Sequence, residues 1–515
     1  MKRALPAVAA MAVATALAIA GCTSGSSSSA ASTGAVSAGS ASAVSWHSCT
    51  EQGASMLCGS LQVPLDYSHP NGRKITLALS QVPATAPAAK RQGVLLVNPG
   101  GPGGAGLSLA AFVAEGLDPS VAADYTIVGF DTRGVGTSVP SLSCDSSFFS
   151  RARPDYIPAS AAEEQQNVDR AKTYAADCEK KYGWLLPYMT TENIARDMNS
   201  IRMALGQKQI SYFGYSYGTY IGQVFATLFP HQLRRMVLDS TVDPRGAWWQ
   251  DNIEQDYAFQ GRLEVFFAWM AKYDSVYHLG TTAAEVSASW YKARDQLEAH
   301  PIPVNGTPLI GPDEFDDTML IGGYDNSYWP GLAAALSSYL NDHSTSQLVS
   351  QYDQEGIQNE NEFAVYNAVE CSDVSWPRNW ATWNTDTKQV YATAPFEAWD
   401  NAWFNAACAF WPVKGPSKPL QIKGAGLPGI LMLQGTLDPA TPYSGAQVAH
   451  SLLPSARMVV VEGGGNHGQS LSDPPNNCVN GYLNRYLATG ALPQHPGKVN
   501  ATCPALPDPT PSSAG

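Results

Sequence analysis

The chain has 515 residues, with 44 acidic against 31 basic side chains and a formal charge of −13. That length can bury a large core, while the negative charge argues against nonspecific binding to nucleic acid or to an anionic surface, since repulsion opposes both.

The N-terminus gives an address. Met1-Lys2-Arg3 is a short positive segment, Ala4 to Ala20 is apolar and alanine-rich, and Ile19-Ala20-Gly21-Cys22 has the form of a lipoprotein cleavage box. Residues 1–21 therefore read as a lipoprotein signal peptide, too short and too early to be read first as a transmembrane helix. Residues 22–45 are, after Cys22, almost wholly Ser, Ala, Gly and Thr with no charged side chain, which suits a flexible tether. The expectation is an exported protein on the extracellular face of the membrane, held by acyl chains on Cys22 or released to the medium; an ordinary signal peptide is the alternative.

From residue 46 onward a strand–helix rhythm sets in, with strands expected near 75–80, 93–97 and 125–130. The second runs into Pro99-Gly100-Gly101-Pro102-Gly103-Gly104-Ala105-Gly106, a bare glycine loop whose exposed backbone N–H groups can form the second half of an oxyanion hole. The same run contains a G-x-G-x-x-G spacing, but Pro102 removes a donor and no acid ends a clear second strand at the required distance, so a dinucleotide cofactor is not expected. Asp131-Thr132-Arg133-Gly134 is expected to brace this loop by hydrogen bonds.

A strand at 210–213 leads into Gly214-Tyr215-Ser216-Tyr217-Gly218 and then into the helix-like Tyr220–Ala226. Serine on a tight strand-to-helix turn becomes a nucleophile, and the Tyr217 N–H at the helix start is the natural oxyanion donor. A strand at 235–239 closes a first hydrolase part over residues 46–242, and Asp239 and Asp243 follow it.

The rhythm is lost over residues 243–425, where apolar helical segments such as Leu263–Met270 and Gly331–Leu336 suggest a mainly helical cap. Trp248, Trp249, Phe266, Phe267 and Trp269 are expected in its core. Strands return at 429–434 and 457–461 in a second hydrolase part, residues 426–490. Asp438 lies in a turn just past the first of these strands and His467 in the glycine-rich loop after the second, giving the order serine, acid, histidine. Asp239 and Asp243 remain alternative acids. The Pro-rich tail, residues 491–515, is expected to be disordered beyond Cys503.

Nine cysteines leave an even eight once Cys22 is set aside, which suits four disulfides in an oxidising compartment. Nearness in sequence favours Cys49–Cys58, Cys144–Cys178, Cys371–Cys408 and Cys478–Cys503 among 105 connectivities. No C-x-x-C pattern occurs, so no metal site is expected.

Taken together, Asn98–Gly106, Asp131–Gly134, Gly214–Thr219, Gln434–Pro439 and Gly465–Gly468 resemble the serine peptidase branch of the α/β-hydrolases that contains proline iminopeptidases and the secreted tripeptidyl aminopeptidases of actinomycetes. The resemblance implies an α/β fold with a mostly parallel sheet and a large helical cap, a Ser216–Asp438–His467 triad, and Tyr217 with Gly100 or Gly101 as oxyanion donors. Pro99 stands where proline iminopeptidases usually carry histidine, which favours the tripeptidyl side. An aminopeptidase also needs an anion for the substrate's α-ammonium. Glu370 and Asp373 lie in the cap, where lid carboxylates of the family hold that group.

The function expected is release of short peptides, tripeptides foremost, from free peptide or protein N-termini, by a monomer that uses no cofactor. An esterase or lipase with the same triad and a non-catalytic binding protein on the same scaffold are the alternatives.

Overall fold

The structure is a computed structural model that describes residues 44–304 and 307–511. The segment expected to be a signal peptide, most of the expected tether and Cys22 lie outside the described residues. Among those described, no helix is long and apolar enough to cross a membrane.

The strands, in chain order, are β1 (His47–Glu51), β2 (Ala54–Pro64), β3 (Lys74–Val82), β4 (Gly93–Asn98), β5 (Tyr125–Phe130), β6 (Ile210–Tyr215), β7 (Leu233–Asp239), β8 (Ile302–Val304), β9 (Thr307–Ile310), β10 (Ile430–Gly435), β11 (Ala456–Glu462) and β12 (Ala501–Pro504). All but the β8–β9 hairpin form one sheet in the order β1-β2-β3-β5-β4-β6-β7-β10-β11-β12. Pairing is antiparallel from β1 to β5 and parallel from β5 to β12. Strands β2 to β11 follow the crossover order of an α/β-hydrolase, and β1 and β12 extend the two edges. The central strands are covered on both faces, so Gly93-Val-Leu-Leu-Val-Asn98 and Ile430-Leu-Met-Leu-Gln-Gly435 are near-continuous apolar runs.

Two insertions cover the C-terminal ends of the parallel strands. One, between β5 and β6, carries the helix Ala161–Tyr182, started by Ser160, whose side chain accepts from the Glu163 N–H. The other, between β7 and β10, is the cap: helices from Trp249–Lys272 to Ala398–Asn405 plus the β8–β9 hairpin. It has its own apolar core, where Phe266, Phe267, Trp269, Trp290 and Trp329 pack together. Trp248 instead joins the main core beside Tyr217 and Tyr220.

The two insertions are sewn together by Tyr174 Oη, which donates to Glu360 Oε1 at 2.7 Å, and by Trp380 Nε1, which donates to Glu164 at 2.8 Å.

The four disulfides join Cys49 to Cys58, Cys144 to Cys178, Cys371 to Cys408 and Cys478 to Cys503; such bonds are consistent with an exported protein. The tail departs from the expectation of disorder. Residues 501–504 pair with β11, and the chain then crosses to the cap, where Pro509 O accepts from Trp269 Nε1 at 2.8 Å and Asp508 accepts from Asn326 at 3.0 Å. Pairing with β11 and the Cys478–Cys503 bond bring this proline-rich segment to the cap in an extended form, for which proline is suited.

Candidate active site

Ser216 sits between β6 and the helix Tyr217–Leu228 with φ 54° and ψ −129°, a strained conformation for a residue with a side chain. The flanking glycines are required by close approach rather than by positive φ. A Cβ on Gly214 would lie 2.5 Å from Gly218 O, and one on Gly218 would lie 2.8 Å from Asn98 O. The Ser216 N–H donates to Asp239 O at 3.0 Å, which fixes the turn to the end of β7.

The glycine loop after β4 lies directly against this turn. Gly100 has φ +103°, and a Cβ there would be 2.9 Å from Ser216 Cβ and 3.0 Å from Tyr217 N. Only glycine fits. The Gly100 N–H is not free, however: it donates to Asn98 Oδ1 at 3.0 Å. Of the two expected loop donors, Gly100 therefore has its N–H taken, whereas Gly101 lines the cavity next to Ser216 and Tyr217. Asp131 braces the loop by accepting from the Gly106 N–H at 2.8 Å, while Arg133 grips buried Asp197 through two bonds of 2.8 Å each.

Asp438 is buried, and its carboxylate accepts from the N–H groups of Ala440 and Thr441 and from Thr441 Oγ1 at 3.0–3.1 Å. His467 Nδ1 lies 3.0 Å from Asp438 Oδ1, which orients the ring and leaves Nε2 as its other nitrogen. Burial disfavours the imidazolium, but the Asp438 charge and hydrogen bond, with Asp239 beyond, outweigh it and raise the His467 pKa above its ordinary 6.5.

The alternative acids have other partners. Asp239 accepts from Gln469 N, Ser470 N and Ser470 Oγ at 2.5–2.9 Å and thus carries the histidine loop. Asp243 is paired with Arg245.

Between Ser216 and the cap lies a cavity of about 190 Å³ lined by Gly101, Ser216 and Tyr217 and by six acidic residues: Asp243, Asp251, Glu254, Glu370, Glu397 and Asp400. No lysine, arginine or histidine is among its lining residues. Glu370 projects from the helix Glu360–Asp373, is 3% exposed, and accepts from Asn252 Nδ2 at 3.4 Å. Burial holds its pKa well above the usual carboxylate range, partly offset by hydrogen bonds from Tyr366 and Asn252.

Asp373 does not line this cavity. Its carboxylate is taken by the Thr191 N–H at 2.7 Å and Thr191 Oγ1 at 2.5 Å, and Thr191 Oγ1 is 2.7 Å from Tyr217 Oη. Glu370 and Asp373 stand three positions apart on one helix, yet only the former opens into the cavity; Asp373 ties the cap to the helix Thr191–Ala204. Glu397 and Asp400, at the start of the helix Ala398–Asn405, are cavity acids that sequence reasoning did not single out.

A family model described as TAP-like protein matches residues 394–503. A tripeptidyl aminopeptidase of Streptomyces lividans is 41% identical over 446 residues, covering 84% of this chain and 81% of that one. Serine protease Hip1 of Mycobacterium tuberculosis is 30% identical over 459 residues, with 85% and 86% covered. Carboxylesterase B of the same species is 30% identical over 471 residues, with 87% and 88% covered.

Proposed function

The chain belongs to the tripeptidyl aminopeptidase family of serine peptidases on the α/β-hydrolase fold, and from that premise we propose that it removes tripeptides from free N-termini through a Ser216–Asp438–His467 triad. The observation that carries this reading is the cavity itself. A serine on a strained turn opens into a chamber lined by six acidic residues and no basic one, a surface matched to a cationic substrate end. A carboxylate buried without a counter-ion costs several kcal/mol, and an α-ammonium placed beside Glu370 offsets that cost only for substrates with a free amine.

In the proposed reaction His467, oriented by Asp438, takes the Ser216 hydroxyl proton as Oγ bonds to the scissile carbonyl carbon. The Tyr217 and Gly101 N–H groups receive the negative carbonyl oxygen. Collapse of the adduct breaks the C–N bond, and His467 hands the proton to the leaving amine. Water, deprotonated by His467, then attacks the acyl-enzyme, and the carboxyl product and free serine are restored. No cofactor enters these steps. In this reading the partners are peptide or protein N-termini, with the membrane reached through acyl chains on Cys22.

The test is kcat/KM on mono-, di- and tripeptidyl chromogenic amides with free or acetylated N-termini, beside a simple ester. The expected result is preference for the free-amine tripeptide, abolished by Ser216→Ala. Cleavage confined to the ester overturns the peptidase specificity in favour of an esterase, the activity named for the Mycobacterium carboxylesterase relative.

A further inference from the structure

The cavity contains a second group of carboxyls that an α-ammonium held at Glu370 does not use. Glu397 and Asp400 are each 5% exposed, and both line the cavity. Glu397 Oε1 and Asp400 Oδ2 are enclosed with no hydrogen-bond partner among the described residues. Asp256, on the long cap helix Trp249–Lys272, adds a third carboxyl to the neighbourhood, and its charge acts on both. Among the described residues its hydrogen-bond partner is the Asn401 amide, at 2.8 Å.

Arg153 partly offsets the charge of Asp400 but, among the described residues, forms no ion pair with this group. Arg153 is committed to Glu314 and Asp317 at 2.8 and 2.7 Å, and Arg294 to Asp155 and Asp316 at 2.9 and 2.6 Å. Both guanidiniums are buried in those pairs. Burial, and after it repulsion from neighbouring carboxylates, pushes the pKa of Glu397 and of Asp400 well above the usual carboxylate range, for Asp400 against an opposing pull from Arg153. Buried carboxyls in this state are stabilised by a cation that enters from the cavity side. Phe259, Leu320, Tyr324 and Phe404 line the same space and supply apolar surface for an aliphatic stem.

We propose that Glu397 and Asp400 form a subsite for a basic side chain, so that the enzyme prefers N-terminal peptides carrying lysine or arginine at one of the released positions. The inference rests on the aminopeptidase reading above: one peptide has one α-ammonium, and a second cation in the same cavity has to come from a side chain. An acidic residue at that position is disfavoured by the same carboxyls.

The test uses free-amine tripeptidyl chromogenic amides in which each position in turn is lysine, norleucine or glutamate, with acetylated counterparts, on wild type and on Glu397→Gln, Asp400→Asn and Glu370→Gln. At one position the lysine substrate is expected to exceed norleucine at least tenfold in kcat/KM, with glutamate below both. Glu397→Gln and Asp400→Asn are expected to bring that ratio towards one, while Glu370→Gln lowers the free-amine to acetylated ratio instead. Equal lysine and norleucine values at every position, with the free-amine preference intact, overturn the subsite and leave the aminopeptidase reading standing. Loss of the free-amine preference in wild type overturns both. A lysine preference unchanged in both variants, or loss of the free-amine preference rather than the lysine preference, also overturns the subsite. Equal lysine and norleucine values in the wild-type scan overturn the subsite even where a variant fails to fold.

Discussion

Ser216 and Asp239 are joined through the backbone: the Ser216 N–H donates to Asp239 O at 3.0 Å. The Asp239 carboxylate meanwhile accepts from Gln469 N, Ser470 N and Ser470 Oγ, two and three residues past His467. One residue at the end of β7 thus sets the nucleophile turn and the histidine loop relative to each other. Burial pushes its pKa up to about 6 against those hydrogen bonds. Asp239→Ala leaves the loop donors unpaired, and hydrogen bonds to a charged group are each worth about 1.5–3 kcal/mol. The expected outcome is a stability loss of about 3 kcal/mol in denaturant unfolding. kcat is expected to fall at least tenfold, with a smaller change for Asp239→Asn, which keeps one acceptor. Unchanged kcat in Asp239→Ala would separate this residue from the geometry of the site.

The raised His467 pKa has a direct consequence for rate. The base must be neutral, so kcat/KM is expected to fall as pH drops through a value above 6.5. The same shift stabilises the fold fully below the unfolded-state value, and that contribution is lost as pH rises through the folded-state value. Asp438→Asn removes the charge that raises the pKa, so the acid limb moves to lower pH. The plateau is expected to drop about 10³–10⁴-fold as the tautomer is lost. An acetylated ester reports this limb alone, whereas free-amine peptides add the ionisation of Glu370. A limb that stays in place in Asp438→Asn would contradict the assignment of His467 and Asp438 as a pair.

The Cys371–Cys408 bond closes a loop with a sequence separation of 37 and pins the helix turn that carries Glu370. Loop-closure entropy assigns such a bond about 4 kcal/mol. Replacing both cysteines by serine is expected to lower the unfolding midpoint and to raise KM for free-amine substrates more than for acetylated ones, as Glu370 loosens. An equal rise for both classes would uncouple this disulfide from the ammonium position.

Much of this was legible in the sequence because central parallel strands, buried on both faces, read as unbroken apolar runs, and because the motifs fall at strand ends. The β1–β2 hairpin was not: it is an edge with a mixed burial pattern, and its cross-strand bond joins cysteines only 9 positions apart. Nor was β12, a four-residue strand whose pairing depends on β11 being in place. Glu370 and Asp373 share a motif, but which one faces the cavity depends on the rotation of their helix against Thr191, a contact 182 positions away. Glu397 and Asp400 resemble any surface pair of acids until the cap closes over them. The engagement of the Gly100 N–H was equally hidden, since its acceptor is a neighbouring side chain and not part of the glycine pattern.

The cap also reaches the histidine loop. His467 N–H donates to Tyr324 O at 2.6 Å, Asn466 bonds to Asp325 and Asn326, and Arg262 of the long cap helix donates to Asn466 Oδ1 at 3.1 Å. Arg262 is 4% exposed, stacks over Trp329 at 4.6 Å, and packs so tightly on Gly465 that a Cβ there would strike its guanidinium. Burial lowers its pKa to about 10, so it remains cationic at neutral pH. Swinging the cap away from this edge would break the bonds that hold the residue next to His467. Arg262→Met keeps the packing volume and removes the donor. It is expected to lower kcat about tenfold with little change in KM, and to cost about 2 kcal/mol for the lost charged hydrogen bond. A rise in KM at constant kcat would instead place Arg262 in substrate binding and detach the cap from the alignment of the base.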